Sequence, residues 1–461
     1  MAPREQQAEK RRAQHAQWGV VVQTSQVRGA HIANGLVQLL RLFPHRVPWT
    51  VGQFDPAEYE RAVVRELNLR YPPRPGEQSW SLSDSARALC VTTTKAGPLS
   101  LAAEETNKEP SFFRAGRDHA ARFLEMAPDP DKVNEVRSTL AAVLNADERV
   151  YASGGSDPTT PSLSFAGYSS PHTLAGMHAV TFLGLLWKTP TGREVVRMLH
   201  ASVRSEDDPH ARLVHALRLD LQVVTTEGDA PDDLYPVPAG ASWDTLAVNA
   251  ARLGKRLLSR HEPNANKGDT LMALVDLASL LLFLRLVQWL PSDTQDSRQL
   301  LLMYAPVRRQ PSEAISRAQQ SLQAACAAVD RLAGQFVIEN YYPSVHARNL
   351  GAAGGWLFPL DSRGAPKRWL CPGPRQLQTL VHALVAPGEE LAWVTFGERA
   401  LEELGIVVGG FSEAKLAREL GLGGGTNSVR EAGRANREHL VALGLARQES
   451  DNVVLVDGGG K

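Results

Sequence analysis

The stretch from Leu271 to Leu290 constrains this chain more than any other. It is nearly long enough to cross a bilayer, yet it carries Asp276, Arg285 and Gln288. Charges at those depths are expensive in lipid and ordinary on a helix buried among other helices, so the reading is a central core helix. A second stretch of the same kind, Leu174 to Trp187, is apolar nearly all round and contains Gly176 and Gly184, which allow close helix approach. Helices that are apolar on every side need other helices to cover them.

The surrounding sequence supplies those helices. Apolar residues recur at helical spacing over Gly29 to Phe43 (Ile32, Leu36, Leu39, Leu40), Pro56 to Leu69, Lys132 to Ala146 and the Ala- and Gln-rich stretch Pro311 to Ala333. Only Leu89 to Thr93 and a hairpin near the C-terminus read as strands. The fold class expected is mainly α, multi-helical and multi-domain. Three stretches rich in Gly, Ser and Pro mark the breaks: Ser153 to His172, Glu227 to Ser242 and Gly351 to Pro374. They divide the chain into a basic flexible arm (1–18), an N-terminal helical domain (19–152), a central helical domain (173–350) and a C-terminal domain (374–461).

Charge limits the kind of partner. The 461 residues hold 50 Lys and Arg against 50 Asp and Glu, a formal balance of zero that argues against a protein coating nucleic acid over its whole surface. Any such contact is local. Cys90, Cys326 and Cys371 are odd in number and widely spaced, which fits a reducing cytoplasmic setting and gives neither a disulfide framework nor a zinc site. The N-terminus has Lys10, Arg11 and Arg12 without a following apolar core of signal-peptide form.

The residues that suggest a local contact lie at the C-terminal end. Glu413 to Leu420 reads as a helix with Leu416 and Leu420 one turn apart, stopped by Gly421 and the run Gly423 to Gly425. Asn427 or Ser428 then caps a second helix. Along it Arg430, Arg434 and Arg437 fall at i, i+4 and i+7, on one face, while Val429, Leu440 and Leu443 are expected to pack inward. Leu445 to Gln448 and Val453 to Val456, separated by Glu449-Ser450-Asp451-Asn452, form the hairpin.

Helix, tight turn, helix and hairpin together resemble a winged helix of the type common in prokaryotic DNA-binding proteins, over about Pro374 to Asp457, with His382 and Leu384 in its first helix. The rest of the chain resembles no known family. The resemblance implies duplex DNA as a partner, with Arg430, Arg434, Arg437, Asn427, Ser428, Lys415 and Arg447 as candidate contacts. A second basic spot, SRGAPKRW at Ser362 to Trp369, adds Lys367 and Arg368 as candidate phosphate contacts. Winged helices also serve as protein-protein modules.

No catalytic signature accompanies the module. There is no GxxxxGK[ST], no HExxH and no G-x-S-x-G, and the ExK fragment at Glu413 to Lys415 lacks the preceding strand and Asp that nuclease metal binding needs. Arg114, Arg117, Asp118 and His119 read as a solvated helix face. The expectation is therefore a non-enzymatic, cofactor-free DNA-binding accessory subunit of a bacterial multi-protein assembly, such as an anti-phage or restriction system. Its helical domains would bind other subunits, in the cytoplasm and without a membrane. The alternatives are a ligand-responsive transcriptional regulator, with a pocket between the two apolar helices, and an enzyme of unfamiliar family.

Overall fold

The computed structural model describes single residues between Glu9 and Leu40, and then residues 171–204, 235, 237–260, 267–288, 300–307, 312–333, 342–359, 367–409, 413–421, 426–450 and 453–459. The expected helices at 56–69 and 132–146, the strand at 89–93, the cluster at 114–119 and Cys90 lie outside the described residues. The described residues are mainly α-helical, with a few short strands.

The apolar helix of the sequence is α4 (Lys267–Gln288), after α1 (Pro171–Trp187), α2 (Pro190–Arg204) and α3 (Ala241–Leu258). From Leu274 to Gln288 every residue of α4 is buried, because α1, α3, α5 (Glu313–Leu332), α6 (Pro343–Ala353) and α7 (Pro374–Leu384) all pack on it. Asp276, Arg285 and Gln288 each find a partner. Asp276 accepts from Arg375 Nε and Nη2, both at 2.9 Å, and Gln288 Nε2 donates to the Gly405 carbonyl at 3.1 Å. Arg285 lies with its guanidinium 4.5 Å from the Trp243 ring centre and donates to the Gln17 carbonyl. Burial lowers the Arg285 pKa to about 9.

Gln17 belongs to the stretch 1–18, read from the sequence as a basic flexible arm, of which only some residues are described. Glu9, Lys10, Ala13, Gln14 and 16–18 are helical, and Gln14 and Trp18 are buried, because the indole has apolar helices to cover it. Ile32, Leu36 and Leu40, at the expected one-turn spacing, are helical and fully buried.

Short strands tie distant segments together. β1 (Leu302–Met303) pairs in parallel with β5 (Ile406–Val407), and Tyr304 bridges Leu370 of β3 (Trp369–Leu370), which pairs antiparallel with β2 (Leu357–Phe358). β4 (Glu390–Ala392), β6 (Ala446–Ser450) and β7 (Val453–Asp457) form a three-stranded sheet in the order β4-β7-β6, with a register shift between Gln448 and Ser450. The hairpin turn is tighter than expected, since Ser450 pairs with Val453.

Buried apolar residues lie on both sides of 351–374, the stretch read from the sequence as a boundary or long loop. One apolar cluster runs from Trp18 through α1 to α6 into α7, α8 (Trp393–Leu404), β5, α9 (Glu413–Glu419), α10 (Thr426–Ala442) and β7. Polar groups reinforce the junction. Arg256 of α3 grips Glu403 of α8 through two hydrogen bonds of 2.8 and 3.0 Å, Asn249 Nδ2 donates to the Glu403 carbonyl, and Arg260 donates to the carbonyls of His382, Val385 and Gly459. Gly405, left-handed at φ 64°, ends α8 and turns the chain into β5.

Candidate nucleic-acid interface

α10 has two unlike faces. Val429, Ala432, Gly433, Asn436 and Leu440 recur at three- and four-residue spacing and are buried, packing the helix on α5 and α9. Gly433 lets the backbone of α10 meet residue 409 directly: a Cβ there would stand 1.9 Å from the Gly409 carbonyl oxygen. Three residues on, the Asn436 amide donates to the carbonyls of Tyr304 and Val408 at 3.0 and 3.1 Å. The Tyr304 hydroxyl and His439 Nδ1 are 2.9 Å apart, and partial burial lowers the His439 pKa, which favours the neutral imidazole. These contacts fix the rotation of α10 about its axis.

The opposite face carries the arginine row. Arg430 and Arg434 are exposed and Arg437 is half-buried, with Asn427 exposed at the N-terminal end of the stripe. Glu431 is half-buried and Glu438 exposed, so the face sets three guanidinium groups against two carboxylates. Two expectations about this helix are corrected. Ser428 is fully buried, so its hydroxyl is not on the exposed face; the helix begins at Thr426, which places Asn427 and Ser428 in its first turn rather than at its cap. Leu443 is 36 % exposed, because the helix ends at Ala442 and the chain turns at Gly444 (φ 71°) before the side chain can reach the core.

The other candidates are spread over different elements. Lys415 is exposed on α9, 3.8 Å from Glu419. Arg447 on β6 forms ion pairs with Glu390 at 2.8 Å and Glu449 at 2.9 Å, so part of its charge is neutralised within the sheet. Lys367 and Arg368 line a cleft between α5 and α6. Sequence reasoning missed Asn436, Gly433 and Tyr304, which orient the arginine helix. A glycine in the middle of the amphipathic run Glu431-Ala432-Gly433-Arg434 was the available signal.

Cys326 and Cys371 are buried, and burial raises their thiols to about 12 and about 11, which keeps them protonated at neutral pH. His178 and His346 meet in the core with their Nε2 atoms 3.2 Å apart, and among the described residues no third His, Cys, Asp or Glu joins them to form a metal-binding group. No protein-family model, no curated protein and no solved structure matches this chain.

Proposed function

We propose that the segment from Pro374 to Asp457 is a winged-helix module that binds duplex DNA through the exposed face of α10. The observation that carries this reading is the pairing of a rigidly seated inner face with an outward stripe of Arg430, Arg434 and Arg437. A helix presented this way offers guanidinium groups to base edges and phosphates. In this reading the hairpin β6–β7, which follows α10 in the chain and pairs through β7 with β4, is the wing. Asn427 extends the row toward the N-terminal end of α10, and Lys415 is exposed on the preceding helix α9. In this reading the protein is a non-enzymatic accessory subunit of a bacterial assembly, and helices α1 to α6 carry the contacts with other subunits.

The test is a fluorescence-anisotropy titration of the full chain with a duplex oligonucleotide at two salt concentrations. Affinity that falls steeply with salt supports phosphate contact, because neutralised phosphates release counterions. Absence of saturable binding at the lower salt rejects the proposal. The interleaved Glu431 and Glu438 favour a second reading, in which the same face pairs with an oppositely patterned protein surface; binding to another subunit but not to DNA selects it.

A further inference from the structure

We propose that the cleft between α5 and α6 is a binding site for a phosphate monoester of mononucleotide size. The cleft is open to solvent and has a volume of about 470 Å³, within the roughly 300–1,000 Å³ typical of small-ligand sites and too small to admit a double helix. Its lining is mixed: the buried Leu322 and Cys326 and the half-buried Val345 form its apolar part, beside polar side chains, and Arg348, Lys367 and Arg368 border it. The one carboxylate among the described lining residues is already engaged: Asp330 accepts from the backbone N–H of Ser344 at 3.1 Å and from its hydroxyl at 2.5 Å, which ties down the start of α6.

The rim is held in place by backbone contacts from both helices. Gln319 of α5 donates to the Lys367 carbonyl at 3.0 Å, Arg368 donates to the Arg348 carbonyl at 3.1 Å, and Arg348 Nε donates to the Ser344 carbonyl at 3.2 Å. The segment 367–368 is thus held to both helices, and cations from two separate chain segments line one cleft. A phosphate monoester, with a charge of about −1.5 to −2 at neutral pH, matches this rim, and a sugar or base would lie on the apolar part of the lining. The protonated Cys326 thiol adds neither charge nor a metal ligand to that part. This proposal is independent of DNA binding by α10.

Isothermal titration of the full chain with a nucleoside 5′-monophosphate, the same nucleoside without phosphate, and inorganic phosphate tests it. The monophosphate should bind saturably, and the nucleoside and inorganic phosphate should each bind at least roughly tenfold more weakly, since each lacks one half of the recognition. The double variant R348A/K367A should weaken monophosphate binding by roughly tenfold or more while keeping the wild-type melting temperature, and R430A/R434A/R437A should leave it unchanged. Equal binding of nucleoside and nucleotide, equal binding of inorganic phosphate, or no saturable binding overturns the proposal. So does an R348A/K367A variant that loses duplex affinity and shows unaltered nucleotide binding, because the rim would then belong to the DNA surface.

Discussion

Gly433 on α10 lies in backbone contact with Gly409, two residues beyond the end of β5, and a Cβ at either position would enter the other's backbone. Gly409 is also left-handed, at φ 83°. Alanine at 433 would gain helix propensity of about 0.5–1 kcal/mol in an open helix. Here it must push α10 away from the segment that holds it. The expected outcome for G433A is a net loss of about 1–3 kcal/mol, as for other overpacked contacts, measured as a lower urea midpoint. A variant as stable as the parent would show that α10 can shift freely, and the orientation of its arginine face would lose its support.

Asp276 links stability to pH. Burial raises its pKa from 3.8 to about 6, outweighing the opposing effect of Arg375 and of hydrogen bonds from Gln376 and Thr379. A group held above its unfolded value binds more protons in the native state, so its contribution is fully present below about pH 3.8 and is lost as pH rises through about 6. Across that window the wild type should lose up to about 3 kcal/mol relative to D276N, whose amide does not titrate. Parallel urea midpoints for the two proteins between pH 4 and pH 7 would contradict this.

The junction between α3 and α8 depends on Glu403, whose side chain is 6 % exposed and receives both Nη atoms of Arg256. Glu403→Ala leaves that guanidinium without its carboxylate in a largely covered place, and the expected loss is about 2–3 kcal/mol. Removing Arg252, half-exposed and 3.4 Å from the same carboxylate, should change stability by less than about 1 kcal/mol. Equal effects of E403A and R252A in thermal melts would mean that the pair with Arg256 is not what holds the two segments together.

The parts of this fold that the sequence made legible are those set by local spacing. Asp276, Arg285 and Gln288 on an otherwise apolar helix pointed to a core helix with polar neighbours, and the structure supplies those neighbours from residues as far apart as Gln17 and Gly405. The hairpin and α5 followed from period and composition for the same reason. What stayed hidden depends on pairing across the chain. Two residues, Leu302 and Met303, make a strand only because Ile406 and Val407 come to lie beside them. The burial of Ser428 is likewise a consequence of where α10 sits against its neighbours, and a cap motif read locally has no access to it. In the candidate interface, the spacing of the arginines was legible, and the contacts that turn them outward, at Gly433, Asn436 and Tyr304, were not.

Folding and binding should separate on α10. Arg430 and Arg434 are exposed and Arg437 is half-buried, and exposed ion pairs contribute only about 0–1 kcal/mol to stability. Each phosphate contact that is lost, by contrast, removes counterion release and flattens the salt slope by roughly one unit. The variant R430A/R434A/R437A should therefore melt within a few degrees of the parent while binding duplex DNA much more weakly and with a shallower dependence on salt. N427A should have a smaller effect, because a neutral amide forms hydrogen bonds without releasing counterions. Because Glu431 and Glu438 share this helix, E431Q/E438Q should act in the opposite direction and tighten binding, since the change removes the only two acidic side chains of α10. A triple variant that is well folded and binds DNA with unchanged affinity, together with a double variant that binds no tighter, would rule out phosphate contact by this face. The face would then be assigned to another protein subunit.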